Sequence, residues 1–197
     1  MILQDNNFNG GKPELLEATV EELMELYKTL QSPTMEEMTG EFNSVLLPQS
    51  TKWDYLVYKT LLDDPIWPGI LIGKAFRPLG EKRGRGYNTF WKLNGKLKLA
   101  FPMRTYLAPS RYDGKESFQL VYRPFWSLYG IFHMVDEVRK LDENRYLLVG
   151  TYGFTKKWRM RPAFILLEGP VRPYRKDIGI PRHFNIKKEI PNWKKQK

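Results

Sequence analysis

Apolar residues recur at helical spacing only near the N-terminus. Leu16, Val20, Leu23, Tyr27 and Leu30 fall three or four apart, while Glu21, Glu22 and Glu25 take the other side, the pattern of an amphipathic helix with an acidic outer face. Thr19-Val20-Glu21-Glu22 has capping-box spacing, in which hydroxyl and carboxylate satisfy the first free amides, so the helix starts there. Ser32-Pro33 ends it. A second such spacing, Thr34-Met35-Glu36-Glu37, predicts one short turn before Gly40. "WDYLVYKTLL", residues 53–62, suits a short helix better than alternation and is closed by Asp63-Asp64-Pro65.

From Gly69 onward the pattern changes to strands separated by turn residues: "GILIGKAF", "RGYNTFWKL", "KLKLAFPMRTY", "SFQLVYR", "GIFHMVDEVRK", "RYLLVGTYGF" and "RPAFILLE". With "EFNSVLL" they make about eight. Asn94-Gly95, Asp113-Gly114 and Asp142-Glu143-Asn144 suit tight reversals, which predicts antiparallel pairing of consecutive strands. In "KLKLAFPMRTY", Leu97, Leu99, Phe101 and Met103 alternate with Lys96, Lys98, Pro102 and Arg104, one dry face and one wet. A meander of this size leaves two bare edges unless it closes, and closure gives a barrel with room for one small ligand. The expected architecture is therefore mainly β: a single closed antiparallel up-and-down β-barrel over residues 40–169, a helical lid over 1–39 and a basic, Pro-containing tail over 170–197.

This order of elements resembles the lipocalin-like barrels, in which a short helical turn precedes a first strand opening with Gly-x-Trp. Here Gly40-Glu41-Phe42 takes that place, with Phe42 for the signature Trp and Ser44 for the second Gly of Gly-x-Trp-x-Gly. "IGKAF" (Gly73, Lys74, Phe76) and "VDEVRKLDENRYLLVG" (Asp136, Arg139, Asp142, Gly150) are similar, in the same order, to later segments of the family that bears this signature. The resemblance covers roughly residues 20–168 and implies a ligand-holding barrel. It also implies that Phe42 lies beneath Arg159 or Arg161, by cation–π contact. The family has no agreed catalytic residues, so none is carried over.

Charge changes the picture of partners. The 197 residues carry 32 Lys and Arg against 22 Asp and Glu, a net charge of +10, and no cysteine. Residues 1–45 hold two basic and nine acidic side chains, and residues 170–197 nine basic and two acidic. A basic body and tail attract anions of any kind. Without an RNP or zinc-knuckle motif nucleic acid is disfavoured, although Tyr87, Phe90 and Trp91 could stack on bases. With no cysteine there is neither disulfide nor thiolate chemistry. The N-terminus lacks the basic and apolar regions of a signal peptide and no membrane span follows, so a cytoplasmic protein is expected. No oligomeric state is implied.

His133 and His183 lie far apart in sequence, so no metal site is expected, and no cofactor motif appears. "GEKRGRGY" fits no phosphate-loop pattern, and no nucleophile elbow is present. His133 and Asp136 share one expected strand, where a spacing of three puts them on opposite faces unless a bulge intervenes. Each, with Tyr152, is a candidate for moving a proton. Arg104, Tyr106, Tyr122, Arg123 and Arg161 fall on or near strands and, with Trp91, are candidates for holding a ligand. An inward arginine requires an acid partner, and an inward tyrosine offers an apolar body with one polar tip. The expected function is retention of a largely apolar small molecule, with an acidic or phenolic group as its polar part. The alternatives are a metal- and redox-cofactor-independent cyclase or isomerase acting on such a molecule, and a basic nucleic-acid-binding domain.

Overall fold

The computed structural model describes residues 11–49, 56, 59–60, 63–64, 68–155, 157–191 and 193. Helices α1 (Lys12–Glu17) and α2 (Val20–Thr29) lead into β1 (Gly40–Leu46), β2 (Asp63–Asp64), β3 (Gly69–Gly80), β4 (Arg83–Trp91), β5 (Leu97–Pro109) and β6 (Glu116–Val121). Helix α3 (Leu128–Ile131), β7 (Val135–Lys140), β8 (Arg145–Thr151), a 3₁₀ turn (Trp158–Met160), β9 (Ala163–Arg172) and α4 (Ile186–Glu189) complete the order. Each strand from β3 to β9 pairs antiparallel with the next, and β1 pairs with both β9 and β3. The result is the expected closed, up-and-down barrel of eight strands, with β2 a short addition against β3. Most of the helix expected over 53–62 lies outside the described residues.

Closure depends on one glycine. At the β1–β3 seam a Cβ on Gly73 would stand 2.1 Å from the Phe42 carbonyl oxygen, a backbone atom that cannot yield, so the strands meet only because that position has no side chain. Alternation then sorts the wall. Phe76, Phe90, Met103, Phe118, Leu120, Val138, Leu148 and Ile165 line the interior, joined by Met35 and Met38 from the turn before β1. On the outside, Leu15, Val20, Leu23 and Tyr27 of α1 and α2 cover Leu147, Val149, Phe164 and Leu166. The helices therefore lie against the wall of β8 and β9. Thr19 caps α2 as its spacing predicts, but the helical pattern breaks at Ala18, and Leu16 on α1 is left exposed.

Two departures from the sequence pattern reshape the interior. Phe101 adopts φ +50° where β5 bulges against β4, so the alternation changes phase there. Ala100 packs on the core while Leu97 and Leu99 are only half-buried. The run "GIFHMVDEVRK" is not one strand. Ser127 caps α3 by accepting a hydrogen bond from the Gly130 amide, His133 follows in the left-handed region at φ +52°, and β7 begins only at Val135. The tail wraps the barrel: Tyr174 packs on Tyr87, Arg175 pairs with Glu41, Asp177 with Arg77 and Arg85, and Pro181 bridges to Phe125.

Helix α2 is fixed by charge as well as by apolar contact. Arg139 is fully buried; it donates to both carboxylate oxygens of Asp113 at 2.7 Å and to the Tyr27 carbonyl at 3.0 Å, and lies 4.5 Å from the Tyr27 ring centroid. Glu137 accepts from the Tyr27 hydroxyl at 3.1 Å and from Arg111. Burial, the largest single influence, would raise the Asp113 carboxyl, but the hydrogen bonds from Arg139 and the Lys115 amide, with the charges of both residues, together outweigh it and hold the group below the ordinary carboxylate value. That contribution to stability is present above the unfolded value of about 4 and is lost as pH falls through the lower folded value. Asp113→Ala should cost about 3 kcal/mol in urea unfolding at neutral pH, because it strands a buried guanidinium. The difference from wild type should shrink as pH falls below about 4.

Candidate functional site

Four polar side chains converge inside the barrel between its apolar ends. Lys74 points inward from β3, between Gly73 and the outward Ala75; Asn88 does so from β4, Tyr122 from the residue after β6, and Asp136 from β7. Asn88 and Tyr122 are fully buried, and the Lys74 and Asp136 side chains are 2% and 3% exposed. In the ring of eight strands β3 and β7 stand opposite each other, so the ion pair between Lys74 Nζ and Asp136 Oδ2, at 3.1 Å, spans the lumen. Lys74 has three protons and three acceptors: Asp136 Oδ2, the Tyr122 hydroxyl at 2.8 Å and Asn88 Oδ1 at 3.2 Å.

The Tyr122 hydroxyl in turn lies 3.0 Å from Asp136 Oδ2 and 3.2 Å from Asn88 Oδ1. The carboxylate is the stronger acceptor of its single proton. Burial first, and the Asp136 charge second, push the phenol well above its ordinary value, so it remains a proton donor. Asn88 is left with an unmatched group: its Oδ1 is engaged, but its buried Nδ2 has no partner. Gly150 supplies the space beside the carboxylate, since a Cβ there would lie 3.1 Å from Asp136 Oδ1. Next to the quartet is an aromatic stack. Tyr122 meets Tyr129 edge-on at 5.3 Å, Tyr129 stacks on Phe101 at 3.8 Å, and Phe101 meets Phe90 edge-on at 5.4 Å.

Of the residues singled out by sequence, the structure brings only Tyr122 and Asp136 together. His133 does not meet Asp136; its Nδ1 lies 2.8 Å from Glu189 Oε1, outside the barrel. Tyr152, just past β8, is half-buried against the core. Arg104 faces outward over the Phe125 ring, Tyr106 packs edge-on against Trp193, and Arg123 donates to the Gly130 carbonyl. Trp91 ends β4 half exposed, and Arg161 caps the 3₁₀ turn on the surface. Phe42 packs against Phe76 and Tyr146, whereas the Arg159 guanidinium donates to the carbonyls of Gly153 and Lys188. Lys74 and Asn88 escaped sequence reasoning as site residues. A lone lysine in the apolar run "IGKAF" was a usable signal; an asparagine within "YNTFW" was not.

The fold and site define a closed eight-stranded antiparallel barrel with a buried charged quartet in its lumen. No family model matches the chain, nor does any curated protein. Among solved structures it is similar to a protein from Thermomonospora curvata, at 11% identity and a TM-score of 0.49, over 77% of this chain and 87% of that one. No helix among the described residues is long and apolar enough to cross a membrane.

The quartet's energetics give a mutational signature. Lys74→Met or Asp136→Leu alone leaves an uncompensated buried charge and should cost about 3–5 kcal/mol in denaturant unfolding. The double variant removes both charges and should recover most of that loss, equalling or exceeding the wild type.

Proposed function

We propose that the barrel holds a largely apolar small molecule by a hydrogen-bond-accepting oxygen, a carboxylate, phenol or carbonyl, placed against Asn88 Nδ2. The observation that carries this reading is the unpartnered amide: a buried donor without an acceptor costs about 1–3 kcal/mol, and a ligand oxygen beside it recovers that cost. Lys74 and Tyr122 reach the other end of the same amide, Asn88 Oδ1, and the Lys74 charge beside it favours an acidic or phenolic oxygen over a neutral one. The rings of Phe90, Phe101 and Tyr129 offer the apolar body its surroundings. The resemblance to lipocalin-like barrels agrees with this use of the fold and says nothing of the ligand.

A second reading, a cofactor-independent isomerase or cyclase, has one observation in its favour. The Tyr122 hydroxyl bridges Lys74 and Asp136 and is held protonated, the arrangement of a general acid with a cation to stabilise the phenolate that would form. Under that reading Tyr122→Phe removes turnover and spares binding.

The binding reading is tested with cis-parinaric acid, an apolar carboxylic acid that fluoresces when sheltered from water. Wild type should give saturable enhancement. Asn88→Asp keeps the acceptor for Lys74 and Tyr122 but removes the donor, and should weaken binding by about tenfold or more. Leu93→Ala, on the exposed turn after β4, should leave it unchanged. Absence of saturable enhancement, or enhancement indifferent to Asn88→Asp, would sink the reading.

A further inference from the structure

Outside the barrel, the loop after β8 and helix α4 enclose a half-open cavity of about 650 Å³, within the range of small-molecule sites. Phe154, Arg159, Met160, Lys187, Lys188 and Glu189 line it. Two of these side chains are incompletely matched by the protein. Glu189 is 2% exposed; its Oε1 lies 2.8 Å from His133 Nδ1, but its Oε2 has no partner. Arg159 donates to the carbonyls of Gly153 and Lys188, at 2.8 and 2.9 Å, and to no carboxylate among the described residues. It bonds the residue before Glu189 and lies near enough for the Glu189 charge to act on it. Burial, and after it the neighbouring Arg111 and Arg123, weaken its hold on its proton against the pull of Glu189.

A buried acceptor lacking a donor and a guanidinium lacking an anion are complementary to one kind of molecule. Phe154 and Met160, 59% and 49% exposed, add an apolar wall at the mouth. We propose that this cavity binds a free α-amino acid with an aromatic side chain, its ammonium on Glu189 Oε2, its carboxylate on Arg159 and its ring against Phe154 and Met160. Carboxylate and guanidinium form the strong, charge-assisted pair. The ammonium completes the hydrogen bonding of Glu189 at an oxygen that the fold leaves without a partner. Lys187 and Lys188 add positive potential around the carboxylate end. The site lies outside the barrel lumen and does not rest on the reading of the quartet.

Titration calorimetry with L-phenylalanine, 3-phenylpropionate and L-phenylalaninamide tests it, because each analogue lacks one of the two charges. Wild type should bind phenylalanine saturably and each analogue at least about tenfold more weakly. Glu189→Gln should abolish the preference over 3-phenylpropionate, and Arg159→Gln the preference over the amide. Phe154→Ala removes an exposed ring and should weaken phenylalanine several-fold without altering the thermal midpoint. The proposal is overturned by no saturable heat at about 10 mM phenylalanine, by equal binding of the three compounds, or by preferences that survive both charge variants.

Discussion

The ion pair between Lys74 and Asp136 is the constraint around which the barrel interior is arranged. It joins strands on opposite sides of the ring, so it can form only when the sheet has closed with the right register. Both charges leave water to make it, and the attraction offsets that desolvation only if the remaining protons and lone pairs find partners. Tyr122 and Asn88 are those partners, and each lies within reach of both ends of the pair or of one end and each other. An apolar core would fold with less difficulty. What the charged lumen adds is a fixed arrangement of donors and acceptors, held because Lys74, Asn88, Tyr122 and Asp136 bond one another.

Strand β7 carries this arrangement on one face and a second one on the other. Asp136 and Val138 point into the barrel, while Glu137 and Arg139 point out and bind Arg111, Asp113 and Tyr27. The strand is thus held from both sides by buried charge, which explains why "VDEVRK" is nearly all buried despite four charged residues in six. The inner pair sets the lumen. The outer pairs fasten α2 to the wall, so the helix within the acidic N-terminal stretch is positioned by the same strand that lines the lumen.

Much of this was legible in the sequence wherever structure is local. Alternation marks the strands, and Asn94-Gly95 and Asp113-Gly114 mark their reversals, with both glycines at positive φ. Thr19 marks the start of α2. What was not legible depends on contacts between distant residues. Gly130 sits where a Cβ would meet the Phe125 and Tyr122 carbonyls, at 2.6 and 2.9 Å, so an apolar run with strand character folds into a helical turn instead. The bulge at Phe101 shifts the phase of β5, which no count of alternating residues reveals. Lys74 becomes a partner of Asp136 only through closure at Gly73, since local alternation places each side chain inward but cannot say which one stands across the lumen.

The fate of His133 and Asp136 shows why a residue pattern alone misassigns chemistry. Three positions apart, they look like a pair, yet the left-handed turn at His133 directs the imidazole to Glu189 on the outside while β7 directs the carboxylate to Lys74 within. Each has an acidic or basic partner, and each partnership leaves one polar atom unmatched, Asn88 Nδ2 inside and Glu189 Oε2 outside. The two unmatched atoms are of opposite kind. The inner one is a donor that lacks an acceptor, and the outer one is an acceptor that lacks a donor. The barrel wall between them therefore separates two unmatched polar atoms of opposite kind, a donor inside and an acceptor outside.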